Sequence, residues 1–203
     1  MIRMIMHGCG GAMGHTITGL AKDMKEIEIA AGVDLKEDTS LGYPVFPSLE
    51  ACDVEADVIV DFASAKAVDH LLDYCGEKKM PLVLCTTGLS EEQLQKVDAP
   101  SGTALALADS INEAMDGQYH YVYDRSQKRE KRDEKEIGIS AVRGGSIVGE
   151  HEVIFAGKDE VITFSHTAYS KAIFGKGALE AAVFLAGKEP GLYTMADVIN
   201  AAS

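Results

Sequence analysis

The apolar positions of the first half fall into short runs, each closed by glycine or an acid. Ile2 to Met6 predicts a strand that runs directly into the turn Gly8-Cys9-Gly10-Gly11-Ala12-Met13-Gly14. Ile17, Leu20, Ala21 and Met24 then recur at helical spacing and predict a helix over 15–25. Glu28 to Val33 predicts a second strand, closed by Asp34. Strand, glycine turn, helix, strand and acid in that order form one βαβ unit. Val58-Ile59-Val60, ending at Asp61, predicts a third strand, and residues 66–79 a helix. Met80 to Cys85 predicts a fourth strand, followed by Thr86-Thr87-Gly88, and Ser90 caps acids in a further helical turn. This is the pattern of a parallel, doubly wound sheet.

The pattern then changes. Ser101 caps a predicted helix reaching Met115, with Leu105, Ala108, Ile111 and Met115 on one face. Residues 119–123, 137–142, 152–155 and 161–165 read as strands joined by glycine-containing turns. They predict an antiparallel or mixed sheet in a second module. Phe174 to Ala186 predicts a last long helix, stopped by Gly187 and Pro190, with a short helix near 194–201.

Composition narrows the partners. The net charge of −13 over 203 residues argues against nucleic acid and anionic membrane surfaces. An anionic ligand needs a local positive site against that background. No apolar run approaches the roughly 18–20 residues of a membrane span, and the apolar N-terminus is too short for a signal peptide. Cys9, Cys52, Cys75 and Cys85 are scattered, without a paired spacing, which points to a reduced, cytoplasmic setting and to no metal site.

Three features carry candidate chemistry. The glycine turn follows a strand, opens a helix and has Asp34 twenty residues after Gly14. That is the setting a dinucleotide needs, with a pyrophosphate on free helix N–H groups and an acid on the adenosine ribose. A tight turn without ligand is the other reading. Asp34 favours NAD over NADP, although Lys36 is near enough in sequence to leave NADP open. Asp61-Phe62-Ala63-Ser64 and Cys85-Thr86-Thr87-Gly88 share the carboxyl edge of the predicted sheet, where ligands of open α/β sheets bind. Lys96-Val-Asp-Ala-Pro-Ser-Gly-Thr-Ala is the most specific block. Ser101 leaves the N–H groups of Gly102 and Thr103 at a positive helix end suited to a carboxylate, and Lys96 could donate a proton. A capped helix with an exposed lysine is the alternative. The charged stretch 124–136 reads either as a basic anion-binding loop or as a solvated hairpin loop.

The chain resembles the dihydrodipicolinate reductase family (4-hydroxy-tetrahydrodipicolinate reductase). The residues that carry the resemblance are Gly8-x-x-Gly11-x-Met13-Gly14, Asp61-Phe62, Cys85-Thr86-Thr87-Gly88 and Lys96-x-Asp98-x-Pro100-Ser101-Gly102-Thr103-Ala104. Arg143-Gly144-Gly145-x-x-x-Gly149-Glu150-His151 and Phe174-x-x-Gly177-Ala178 extend it along nearly the whole chain. The resemblance implies an α/β protein. A Rossmann-type parallel-sheet domain would span residues 1–95, with 170–203 packing back on it. A smaller mixed α/β domain over 96–169 would bind substrate and make the oligomer, a tetramer in similar enzymes.

The implied reaction is NADH- or NADPH-dependent reduction of a small dicarboxylate in lysine and diaminopimelate biosynthesis. Gly8, Cys9, Gly10, Gly11, Ala12, Met13 and Asp34 would hold the cofactor, with Cys85, Thr86 and Thr87 at its nicotinamide end. Lys96 would be the catalytic proton donor, and Gly102 and Thr103 would bind a substrate carboxylate. The chain departs from the family at one place. Where members carry several dozen residues that include a nicotinamide loop and a strand ending in His-His, this chain has only Leu94-Gln95 before Lys96. Two functions follow as expectations, a reductase with impaired turnover or a dinucleotide-binding protein without catalysis.

Overall fold

A computed structural model describes residues 1–36, 38–86, 103–123, 130–140 and 149–202. They form two compact units, Met1–Asp98 with Ser170–Ser203, and Ala99–Tyr169.

In the first unit, strands β1 (Ile2–His7), β2 (Ile27–Val33), β3 (Val45–Phe46), β4 (Val58–Asp61) and β5 (Leu82–Leu84) form one sheet in the order β3-β2-β1-β4-β5. Every pairing in it is parallel. Helices α1 (Ala12–Ala21), α2 (Ala65–Lys78), α4 (Ala172–Leu185) and α5 (Met195–Ala202) belong to the same unit. The order turns at β1, with β2 on one side and β4 on the other. Such a switch point opens a crevice at the carboxyl ends of the strands.

The apolar runs are unbroken because both faces of the sheet are covered. Successive strand residues point to opposite faces. Met4, Met6, Val58 and Val60 join Ile17 of α1 and Leu179 and Ala182 of α4 in one core. Ile5 and Ile59 join Leu71 and Cys75 of α2 in the other. Both layers exclude water from the central strands, and all of Val58, Ile59 and Val60 are fully buried.

The second unit contains α3 (Thr103–Ala114), β6 (His120–Tyr123), β7 (Glu136–Ile139), β8 (Gly149–Ala156) and β9 (Val161–Ala168). Strands β6 and β7 pair in parallel, and β8 and β9 form a separate antiparallel ribbon. The expected mixture of strand directions is present, but as two two-stranded sheets among the described residues. Asn112 fastens α3 to the next strand, its Oδ1 accepting from Tyr119 N–H and its Nδ2 donating to the Tyr119 carbonyl, each at 2.9 Å. On the ribbon, Phe155 and Phe164 meet edge to face at 6.2 Å, and both are exposed.

Some boundaries differ from the sequence expectation. Helix α1 begins at Ala12 rather than residue 15 and stops at Ala21, four residues early. Gly14 has weak helix propensity, so the sequence pattern hides the first turn; tertiary packing holds it. A 3-10 turn over Thr39–Leu41 and the two-residue β3 follow β2, and neither has a periodicity long enough to be read. The predicted turn at Ser90 and residues 124–129 of the charged stretch lie outside the described residues. Of that stretch, Lys135 Nζ bonds Gln118 Oε1 at 2.9 Å and Arg132 reaches the Glu136 carbonyl at 3.5 Å. No helix among the described residues is long and apolar enough to cross a membrane.

All four cysteines are free thiols. Burial pushes the Cys75 and Cys85 thiols from 9.0 up to about 12, with the Asp61 carboxylate adding to both. Burial, and then Asp34, pushes Cys9 to about 11. The folded protein therefore keeps protons that the unfolded chain releases. Stability from these thiols is complete below about pH 9 and is lost as pH rises toward 11–12. Each thiol contributes a slope of about 1.4 kcal/mol per pH unit within that window. Urea midpoints at pH 8, 9 and 10 should fall, and Cys75→Ala should make the fall shallower. An identical fall in that variant would show that the thiol is not its source.

Candidate functional site

The carboxyl ends of β1, β2 and β4 surround a cleft of about 380 Å³. Its wall on one side is the glycine turn after β1, including Gly8 and Gly11; Asp34 and Leu35 follow from β2. Phe62, Ala63 and Ser64 contribute from the end of β4, Ala67 and His70 from α2, and Pro47, Ser48 and Leu49 from the loop after β3.

The turn needs its glycines. Gly8 sits at φ +82°, a left-handed conformation, and a Cβ there would lie 2.8 Å from the Ala63 nitrogen. At Gly14 a Cβ would lie 2.2 Å from the Cys9 carbonyl oxygen, so α1 crosses the turn at backbone distance. Gly11 caps α1 in extended conformation, and no side chain caps the helix in its place. The first-turn N–H groups and the positive helix end are thus left for a ligand anion.

Asp34 leans back over the turn, and its Oδ2 accepts from Gly10 N–H at 3.0 Å. Its Oδ1 is 3.5 Å from the Lys36 amide. The carboxylate lines the cleft. The space over the glycines, the uncapped helix end and the acid at the edge of β2 together fit a dinucleotide.

Other expected residues take different places. Cys9 is fully buried, with its Sγ packed where Gly32 has no side chain, so only its backbone faces the turn. Met13 packs into the apolar core beside α4. Gly10 and Ala12 are exposed on the turn. Cys85 is half-buried against the core. Thr86 donates its hydroxyl to Asp61 Oδ2 at 2.6 Å. Thr103 opens α3. Thr87, Lys96 and Gly102 lie outside the described residues.

The sequence reading missed His7 and the Pro47–Leu49 segment. His7 ends β1 and pairs in register with Asp61 of β4, and its Nδ1 lies 2.7 Å from Asp61 Oδ1. Asp61 is fully buried and also accepts from Ala63 N–H at 3.1 Å. One carboxylate thus ties the ends of β1, β4 and β5. The only signal for this was a histidine directly before the glycine turn and an acid ending an apolar strand.

Known proteins match over the same extent. Residues 2–108 match the family described as dihydrodipicolinate reductase, N-terminus, and residues 90–199 match dihydrodipicolinate reductase, C-terminus. The chain belongs to the dihydrodipicolinate reductase family. A protein of Caldanaerobacter subterraneus named 4-hydroxy-tetrahydrodipicolinate reductase is 43% identical, covering 98% of this chain and 99% of that one. One of the same name from Clostridium tetani is 40% identical, covering 98% of each. A solved structure, dipicolinate-bound dihydrodipicolinate reductase from Paenisporosarcina sp. TG-14, superposes with a TM-score of 0.63 at 18% identity. It covers 91% of this chain and 94% of its own, and shows the shared fold. The alignment with the Caldanaerobacter reductase runs over 249 positions, whereas this chain has 203 residues. Dozens of the relative's positions therefore face a gap here. The two family matches overlap over residues 90–108.

Proposed function

We propose that this chain reduces 4-hydroxy-tetrahydrodipicolinate to tetrahydrodipicolinate with NADH or NADPH, in lysine and diaminopimelate biosynthesis. Identity of 43% to a reductase of that name along 98% of the chain carries the reading. The cleft over the glycine turn supports the cofactor, whose dihydronicotinamide supplies the hydride when bound. Gly8, Gly10 and Gly11 let the pyrophosphate approach the first turn of α1, with the backbone of Cys9, Ala12 and Met13 completing that turn. Asp34 receives the adenosine ribose and favours NADH, because a 2′-phosphate there meets a carboxylate. By the family motif, Cys85, Thr86 and Thr87 serve the nicotinamide end of the cofactor.

In this reading residues 1–95 and 170–203 bind the cofactor, while 96–169 bind substrate and form the oligomer. Lys96 donates a proton to the reduced substrate, and Gly102 and Thr103 anchor one of its carboxylates. The exposed Ile154, Phe155, Ile162 and Phe164 of the β8–β9 ribbon support a homo-oligomeric interface on the substrate domain. The protein acts in the cytoplasm and engages neither nucleic acid nor membrane.

The gap against relatives favours a second reading, a dinucleotide-binding protein that has lost turnover with the segment before Lys96. Oxidation of NADH and NADPH at 340 nm, with freshly generated substrate, separates the two. We expect turnover with NADH that falls about 100-fold or more in Lys96→Ala, the scale of a lost general acid. Tight NADH binding with no turnover at any enzyme concentration would leave the second reading standing alone.

A further inference from the structure

We propose that His7 is a positioning residue for the dinucleotide, presenting Nε2 to the cofactor's pyrophosphate while the buried Asp61 holds Nδ1. This rests on the cofactor reading above.

The argument begins with charge. A pyrophosphate carries two negative charges, the chain carries a net −13, and Asp34 lines the cleft. The helix end offers partial positive charge only. No lysine or arginine is among the described residues lining the cleft; its basic side chains are His7 and His70. His70 already pairs with Glu50, Nε2 to Oε1 at 2.8 Å, and is largely exposed on α2. His7 directly precedes Gly8, at the start of the turn.

Its geometry is fixed from behind. Asp61 has no proton to give as a carboxylate and accepts from Ala63 N–H and the Thr86 hydroxyl as well. The His7 Nδ1 therefore carries the hydrogen of the 2.7 Å contact. His7 is 12% exposed in its side chain and lines the cleft. With Nδ1 turned to Asp61, Nε2 is the ring nitrogen left to face a ligand. A proton on it converts the ring into a donor toward phosphate, balanced by Asp61 on the other side. Binding should then take up a proton.

Among the described residues, the titratable groups around His7 are few. Asp61 faces it from β4, and Asp34 and His70 line the same cleft from β2 and α2. Cys9 and Cys85, at about 11 and 12, stay thiols through neutral pH. On α1, His15 faces Asp38 at 3.7 Å, and on α4 Lys176 pairs with Glu180 at the surface.

The test is calorimetric titration of the full chain with NADH from pH 6 to 8.5, in two buffers of different ionisation enthalpy. The wild type should weaken on the order of tenfold as pH rises, the worth of one charge-assisted hydrogen bond, and take up a fraction of a proton on binding. His7→Gln should bind about tenfold more weakly at pH 6 and lose the pH dependence, with its melting temperature measured alongside. His120→Gln, on β6 of the other unit, should keep both. Wild-type binding with no proton uptake would overturn the proposal without any variant. Unchanged affinity in His7→Gln, or loss of the pH dependence in His120→Gln, would overturn it too. Each of these results leaves the cofactor reading intact, whereas a wild type that binds no NADH at any pH removes both.

Discussion

Gly14→Ala is expected to destabilise the protein by on the order of 3 kcal/mol and to abolish dinucleotide binding. A Cβ at this position would lie 2.2 Å from the Cys9 carbonyl oxygen, 2.5 Å from its carbonyl carbon and 2.6 Å from its Cα. These are backbone atoms, so no side chain can rotate away. Relief requires lifting the first turn of α1 from the glycine turn. Ile17 and Thr18 follow on the same helix and are buried, so that movement would also open the core on the α4 side. The glycine turn and the helix end are the proposed pyrophosphate site, so stability and binding should fail together. Gly19→Ala is the matched control. It lies in the same helix, with nothing within 4 Å of its added Cβ. There the change should stabilise by about 0.5–1 kcal/mol through helix propensity. Urea denaturation and NADH titration of the pair decide the matter: equal stability of the two variants would mean that α1 does not cross the turn at this distance.

The parallel sheet was legible because its physical cause is local. A strand buried on both faces must be apolar at consecutive positions, and Val58-Ile59-Val60 can serve no other environment so well. The glycine turn was legible because close backbone approach excludes a Cβ, and Asp34 because it ends a strand at the required spacing. Asp61 looked like one more strand-end acid. Its role depends on β1, β4 and β5 lying side by side, which brings residues 7, 61 and 86 together from distant parts of the chain. No local pattern encodes that adjacency. The same limit applies to β6 and β7, where alternation marks a strand but not the direction of its partner. Cys9 and Met13 show the converse. A motif assigns them to the cofactor turn as a block, while packing sends their side chains into the core.

Asp61→Ala is expected to cost about 3–5 kcal/mol, the largest loss for any polar side chain of the site. The carboxylate is fully buried and receives three donors, His7 Nδ1–H at 2.7 Å, the Thr86 hydroxyl at 2.6 Å and Ala63 N–H at 3.1 Å. Truncation leaves all three without their acceptor at a fully buried position, and each unmet donor costs about 1–3 kcal/mol. It also frees the ends of β1, β4 and β5 from one another, and the ends of β1 and β4 border the cleft. Asp61→Asn separates charge from hydrogen bonding. Its carbonyl oxygen can keep His7 and Ala63 N–H, while its amide donates to the Thr86 oxygen, whose hydroxyl rotates to accept. The fold should therefore lose no more than about 1.5 kcal/mol in the amide variant. What the amide cannot do is balance a proton on His7. NADH affinity of Asp61→Asn should become independent of pH between 6 and 8.5, although the protein remains folded. If Asp61→Ala were as stable as Asp61→Asn, the three strand ends would be held by packing alone, and the carboxylate would have no structural role.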